Sequence, residues 1–315
     1  MKILDVATLI NPELTSLETL HRRYQWGERN QKIFSRFLKL ESTCLFPDHT
    51  LPELLHTTLK RLLAKHEDKR SAITHIVYAH SLHATYPFET RVLEQWCHQH
   101  IGAHVESLSV TQGSCASSLL GLALLQRILG QRATNEAPKY AILLTGDKCF
   151  HDTVQFVDQN GLFGEGCSAT LITNDDQAAG LTVTGLAWQT LGAISHRTVS
   201  SNRAQANAYD RAFIPTMTHT IEQALKRANI EPQKVEAMLP YHMSPPTFDR
   251  LVDRLAIPRE RIYRKNLYRI GHCFCGDAFI NLHDYWRVNQ QQRPSGPILC
   301  MAAGVAGTFG ALVLT

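Results

Sequence analysis

The stretch Val110–Leu125, VTQGSCASSLLGLALL, decides how the rest of the chain is read. It joins a strand-like run, Val105–Val110 (VESLSV), to Ala116–Leu129, which is apolar on nearly every face. A stripe of that width predicts a helix buried all round rather than one lying on a surface. Cys115 stands at the junction, flanked by the small residues Gly113, Ser114, Ala116, Ser117 and Ser118. A thiol at a helix N-terminus feels the positive end of the dipole, which favours the thiolate. Small neighbours admit a substrate, and the N–H groups of such a turn can hold an oxyanion. The competing reading of any single cysteine is a small buried apolar residue. The glycine before Cys115 and the helix start after it favour a nucleophile.

Outward from this junction the chain alternates between the two periodicities. Pro52–Lys65 has helical spacing, Ala72–Ala79 (AITHIVYA) is strand-like, and Phe88–His98 is helix-like. Tyr140–Thr145 (YAILLT) predicts a strand, and Leu162–Thr173 (LFGEGCSATLIT) a glycine turn entering one. The order then recurs: a helix over Ile214–Ala228, a strand over Val235–Leu239, a helix over Phe248–Leu255, and a turn opening a buried helix at Ile270–Leu282 (IGHCFCGDAFINL). Two strands close the chain, Ile298–Ala302 and Phe309–Leu314. Laid on each other, the halves put His80 near His242, 162 residues on, and Cys115 on Cys273, 158 residues on. The expectation is a duplicated α/β chain with mixed sheets, its halves spanning residues 1–175 and 176–315.

The second half supplies two further candidates. His242 ends an apolar strand, where open α/β sheets place their sites. His272 opens the second buried helix. If the two buried helices face each other, Cys115, His242 and His272 converge, and a thiol with two imidazoles can transfer acyl groups. A metal reading of His272, Cys273, Cys275 and Asp277, or of Cys97, His98 and His100, lacks the second paired half that zinc spacing requires, so no metal is expected. Gly164-Glu165-Gly166 has neither the spacing nor the lysine of a phosphate loop. Arg250, Arg254, Arg261 and Arg264 fall in a basic stretch, read either as a solvated face or as a docking patch for an acidic carrier.

Composition narrows the class. The 315 residues are 44% hydrophobic and 19% charged, with a formal net charge of +4, a globular balance without the basic stripe of a nucleic-acid binder. No secretory pattern opens the chain and no apolar run reaches the roughly 20 residues a membrane span needs. The eight cysteines form no disulfide framework, so a cytoplasmic protein is expected.

From about residue 72 to the C-terminus the chain resembles the β-ketoacyl-acyl-carrier-protein synthase III group of the thiolase superfamily. VTQGSCASSLLGLALL is similar to its strand–cysteine–helix, and LFGEGCSATLI to its Phe-Gly-Asp-Gly-Ala-Gly-Ala stretch. LPYHMSPPTFDRL is similar to the strand that ends in the catalytic histidine, IGHCFCGDAFINL to the Gly-Asn-Thr-Ser helix start, and VAGTFGALVL to the glycine-rich ending. The resemblance implies a five-layered αβαβα fold and a homodimer, or a heterodimer with a related chain. It also implies acyl transfer through a cysteine thioester with no cofactor beyond an acyl-CoA or acyl-carrier-protein substrate. Cys115 matches the nucleophile and His242 the catalytic histidine. Gly304, Val305 and Ala306 match the oxyanion loop, and Phe88 the loop lining the neighbouring subunit's acyl pocket. His272 stands where the family has asparagine, and Thr247 where it has a CoA-contacting arginine. The function implied is acyl loading on Cys115 followed by decarboxylative condensation with a malonyl-type extender, in a specialised fatty-acid or polyketide pathway. Acyl transfer to oxygen or nitrogen, a non-catalytic thiolase-like partner subunit and a simple thioesterase are the alternatives.

Overall fold

The computed structural model describes residues 1–82, 92–131, 133, 135–149, 156–157, 161–194, 203–288, 294–305 and 307–315. Phe88 and Ala306, two of the expected site residues, lie outside them.

Nine strands form the main sheet: β1 (Lys2–Leu9), β2 (Ile73–Ala79), β3 (Glu106–Val110), β4 (Tyr140–Thr145), β5 (Cys167–Thr173), β6 (Leu181–Thr190), β7 (Ala237–Leu239), β8 (Ile298–Gly304) and β9 (Thr308–Leu314). Their order is β7-β8-β9-β6-β1-β5-β4-β2-β3. The seam between β1 and β6 is narrow, with only Lys2↔Thr182 and Ile3↔Leu181 in register. On one side of it β3, β2 and β4 run parallel, followed by antiparallel β5 and β1. On the other side β7 and β8 run parallel, followed by antiparallel β9 and β6.

Three apolar clusters show how the helices are layered. Helix α1 (Leu51–Lys65) buries Leu54, Leu59 and Leu62 against Ile76, Ile142 and Leu144, and Trp96 and Cys97 of α2 (Val92–His100) join this outer face. Helices α3 (Ser117–Leu129) and α6 (Asp277–Val288) fill the middle. There Leu119, Leu122, Phe279 and Leu282 meet Val77 and Leu143 on one side, and Leu239, Cys300 and Leu312 on the other. The second outer face carries α4 (Arg203–Ala228) and α5 (Pro246–Leu255), whose Met217, Ile221, Phe248 and Leu251 cover Met238, Leu299, Met301 and Val313. Neighbouring strand residues therefore feed opposite cores, and every position of β8 and β9 is buried, as sheets covered on both faces require. The result is the αβαβα fold expected from the sequence. Among the described residues no helix is long and apolar enough to cross a membrane.

Two strands beside the seam, β1 and β6, have no strong alternating pattern. Each contains a register shift, between Ile3 and Asp5 and between Val183 and Gly185, which breaks the period of two. Helix α4 starts well before Ile214, because its opening turns are polar and alanine-rich and carry no apolar stripe.

Candidate active site

Strand β3 ends at Val110, and the chain turns through Ser114, whose φ of 49° lies in the left-handed region, into a short 3₁₀ turn over Ser114–Ala116. This sets Cys115, 7% exposed, directly before α3. The end of β8 lies against the same turn. A Cβ on Gly304 would sit 2.0 Å from the Gly113 carbonyl oxygen, so only glycine permits the approach. Val305 follows it into the pocket that holds Cys115.

His272 reaches Cys115 from the other half. Its N–H donates to the Leu162 carbonyl at 2.7 Å and its carbonyl accepts from the Gly164 N–H at 2.9 Å, which clamps the backbone beside Phe163. The ring lies between Asp277, with Nδ1 2.5 Å from Oδ2, and Cys115, which lines the same pocket and is close enough to act on its charge. A carboxylate only accepts, so Nδ1 carries the proton and Nε2 faces the sulfur. Burial is the largest influence on His272 and lowers its pKa; Asp277 and then Cys115 outweigh it and raise the pKa to about 10. Burial acts on Asp277 in the opposite sense, and the two histidines overcome it and hold its carboxyl well below the usual range. Asp277 opens α6 and also accepts the backbone N–H groups of His242 at 2.6 Å and Cys273 at 2.7 Å.

His242 does not join Cys115. Its Nδ1 lies 2.8 Å from the Gly271 carbonyl oxygen and 3.1 Å from Asp277 Oδ1, and its Nε2 lies 3.0 Å from Asn281 Oδ1. Asn281 Nδ2 donates to the Pro240 carbonyl at 2.7 Å, which fixes the amide so that Oδ1 points at His242. Both ring nitrogens therefore face acceptors, and the ring is satisfied only as an imidazolium. Burial opposes that charge, but Asp277 and these hydrogen bonds raise the pKa. The side chain is fully buried and is absent from the pocket wall, whereas its neighbours Tyr241 and Met243 line it. Past β7 the chain still alternates sides, so the residue next to the histidine enters the pocket.

The pocket encloses about 270 Å³ and is lined by Cys115, His272, Tyr241, Phe163, Phe213 and Val305, among others. Ser81, not anticipated from the sequence, donates its hydroxyl to the Cys115 sulfur at 3.3 Å. Asp147 positions it, accepting the Ser81 N–H at 2.9 Å and the Leu82 N–H at 3.2 Å. Burial pushes the Asp147 carboxyl up to about 7 against the pull of those two N–H groups. Nothing in the sequence marks Ser81 or Tyr241 except that each lies just past the end of a strand that pairs in parallel.

Of the four arginines, Arg250 lines the pocket and, with Arg254, an adjoining groove of about 530 Å³ that also takes in Arg211. Arg264 is instead paired with Asp249 at 2.5 Å, and Arg261 donates to the Glu236 carbonyl at 3.3 Å; neither lines the pocket or the groove. A roomier cleft of about 690 Å³, beside Arg61, Lys265 and Arg269, shares no residue with the Cys115 pocket. Among the described residues no group of three or more His, Cys, Asp or Glu could hold a metal ion.

Residues 225–315 match the family described as 3-oxoacyl-[acyl-carrier-protein (ACP)] synthase III C terminal. The β-ketoacyl-[acyl-carrier-protein] synthase III of Aquifex aeolicus is 22% identical over 180 residues, 55% of this chain. The chain therefore covers 57% of that relative's length. Its crystal structure superimposes with a TM-score of 0.79 at 16% identity, over 99% of both chains. The acyltransferase ChlB3 superimposes with a TM-score of 0.83 at 15% identity, over 100% of this chain and 97% of that one. At such identities the superpositions carry the fold alone: the chain has the thiolase-like fold.

Proposed function

We propose that this chain, a divergent thiolase-like relative of the synthase III enzymes, transfers an acyl group through a thioester on Cys115 with His272 as its acid–base partner. The observation that carries the reading is the line from the Cys115 thiol through His272 to Asp277, the nucleophile–base–carboxylate order of acyl-transfer sites. Cys115 attacks the donor thioester carbonyl as its thiol proton passes to Nε2 of His272. The carbon–sulfur bond of the donor breaks, its thiolate takes the proton from His272, and the neutral imidazole is left beside acyl-Cys115. The acceptor then gives its proton to Nε2, its nucleophilic atom bonds to the acyl carbon, and Cys115 leaves as thiolate. The Cys115 turn and the Gly304–Val305 backbone are placed to hold the oxyanion.

This geometry favours an oxygen or nitrogen acceptor, because the second imidazole expected for decarboxylative condensation, His242, is a buried cation turned away from the pocket. Condensation with a malonyl-type extender stands as the second reading, favoured by the Tyr241 hydroxyl on the pocket wall, a second donor for an enolate. Arg250, Arg254 and Arg211 would meet the phosphate of a pantetheine arm, on CoA or on an acidic carrier protein. A dimer, with a like or a related chain, is the assembly the family resemblance implies.

The test is intact-protein mass spectrometry after mixing the enzyme with acyl-CoA and acyl-carrier thioesters, beside Cys115→Ala. An acyl mass on the wild type that is missing from the variant supports the reading. No adduct from any donor sinks it and leaves a non-catalytic partner subunit.

A further inference from the structure

Tyr241 is 7% exposed, wedged edge-on between Phe248 at 5.3 Å and His272 at 6.0 Å between ring centroids. Its neighbour Tyr209 donates its hydroxyl to the Gly304 carbonyl at 3.4 Å. No such partner among the described residues takes the Tyr241 hydroxyl, although the residue lines the same pocket as Cys115 and His272. The ring is buried, but the hydroxyl opens onto the pocket, where a substrate oxygen can take the place of water as its acceptor. Burial pushes this phenol well above its usual value, and the charges of Tyr209 and Cys115 add to the effect. It therefore stays protonated at neutral pH and acts as a donor.

We propose that Tyr241 seats the acceptor: its hydroxyl donates to a carbonyl oxygen lying beside the acceptor's nucleophilic atom and so holds that atom between the acyl carbon on Cys115 and Nε2 of His272. The acceptor class that follows is a hydroxy, amino or malonyl-type compound with a carbonyl next to its reacting atom, rather than a simple alcohol or amine. Tyr241 keeps its proton throughout. For a hydroxy or amino acceptor the bonds made and broken are those of the transfer step above. For a malonyl-type acceptor the bond to its carboxylate breaks, CO₂ leaves, the freed electron pair bonds to the acyl carbon and Cys115 leaves as thiolate, with no proton passed to Nε2. The inference rests on Cys115 carrying the acyl group.

The experiment separates the two half-reactions. Wild type and Tyr241→Phe are loaded with the acyl group, then challenged with glycinamide, methyl glycolate and malonyl-N-acetylcysteamine, and with 2,2-difluoroethylamine, which lacks the carbonyl. Tyr241→Phe is expected to load Cys115 at the wild-type rate and to lose about 10- to 100-fold in transfer to the carbonyl-bearing probes. A raised acceptor KM should accompany the loss, with reaction toward difluoroethylamine unchanged. Equal transfer by wild type and Tyr241→Phe overturns the proposal. A wild-type acyl-enzyme that gives its acyl group to no carbonyl-bearing probe overturns the acceptor class. Failure of the wild type to load at all sinks the parent reading instead.

Discussion

Ser114 and Phe274 hold the same place in two turns: φ is 49° at one and 51° at the other, and each opens a three-residue 3₁₀ turn that runs into a central helix. A side chain in the left-handed region is strained, so its occurrence twice, 160 residues apart, marks a shared turn. It makes Cys275, not Cys273, the structural counterpart of Cys115. The two thiols share one neighbour, since Ser81 Oγ lies 3.3 Å from Cys115 Sγ and 3.4 Å from Cys275 Sγ. Cys275 donates to the Ser114 carbonyl at 3.2 Å, so the counterpart thiol braces the turn that carries Cys115.

Thiol labelling should therefore find one reactive cysteine. Burial pushes the thiols of Cys44, Cys97 and Cys300 up to about 12, and those of Cys149, Cys167, Cys273 and Cys275 well above the usual value. Iodoacetamide at neutral pH is expected to add once, on Cys115, as read by peptide mass spectrometry. Ser81→Ala removes a hydrogen bond to the sulfur and should slow labelling about three- to tenfold. Equal labelling at Cys275 would refute this division of roles.

The two histidines should separate cleanly. His272→Ala removes the base and should cut Cys115 acylation per folded molecule by at least about 10²-fold, beyond the stability it loses by taking a partner from buried Asp277. His242→Ala removes one partner of a buried ion pair and should lower unfolding stability by about 3–5 kcal/mol. Whatever fraction folds should acylate Cys115 at close to the wild-type rate. Urea unfolding and acylation measured in parallel decide it: a stable but inactive His242→Ala protein would restore His242 to the chemistry.

The layered fold and the turn that carries Cys115 were legible because each depends on a strong local pattern. The all-apolar helix after Cys115, the glycine before it and the paired strand–helix order are visible in the bare sequence. The roles of the two histidines were not. Which of Tyr241 and His242 enters the pocket depends on the side toward which the chain leaves β7, and a single-residue change in that alternation exchanges them. Asp277 reads as a helix-opening acid until its carboxylate is seen to accept from both histidine rings. Ser81 comes from a strand end whose neighbours 83–91 lie outside the described residues, and only its contact with the thiol marks it. The basic stretch divided for a similar reason: Arg250 and Arg254 lie along α5, while Arg261 and Arg264 follow it and are taken up by Glu236 and Asp249.

A methyl group on Gly304 should disable the site from behind. It would collide with the Gly113 carbonyl at 2.0 Å and with the Ser114 Cβ at 2.9 Å, on the turn that presents Cys115. Gly304→Ala is expected to cost about 1–3 kcal/mol, as overpacking does, and to slow acylation more than that loss of folded protein explains. Acylation rates normalised to folded fraction, read beside near-ultraviolet circular dichroism, test it. A variant with wild-type normalised rate would show that the turn tolerates displacement.

Asp147 gives the site a pH dependence with a definite sign. Its carboxyl is pushed up to about 7 by burial, against about 3.9 in an unfolded chain. Between those values the folded protein holds a proton that the unfolded chain has released. The contribution of this group to stability therefore falls as pH rises from about 4 to about 7, and is level above that. Asp147→Asn cannot titrate. It presents one acceptor oxygen to the two N–H groups of Ser81 and Leu82, which shifts its stability by a constant amount at every pH. The stability of wild type minus that of Asp147→Asn should then decline across pH 5 to 7.5 in chemical denaturation, whatever the offset. Because Asp147 holds the Ser81 backbone, the variant should also label more slowly at Cys115, to about the extent of Ser81→Ala. A difference curve that stays flat over that range would mean that Asp147 is ionised throughout, and that its two N–H partners outweigh its burial.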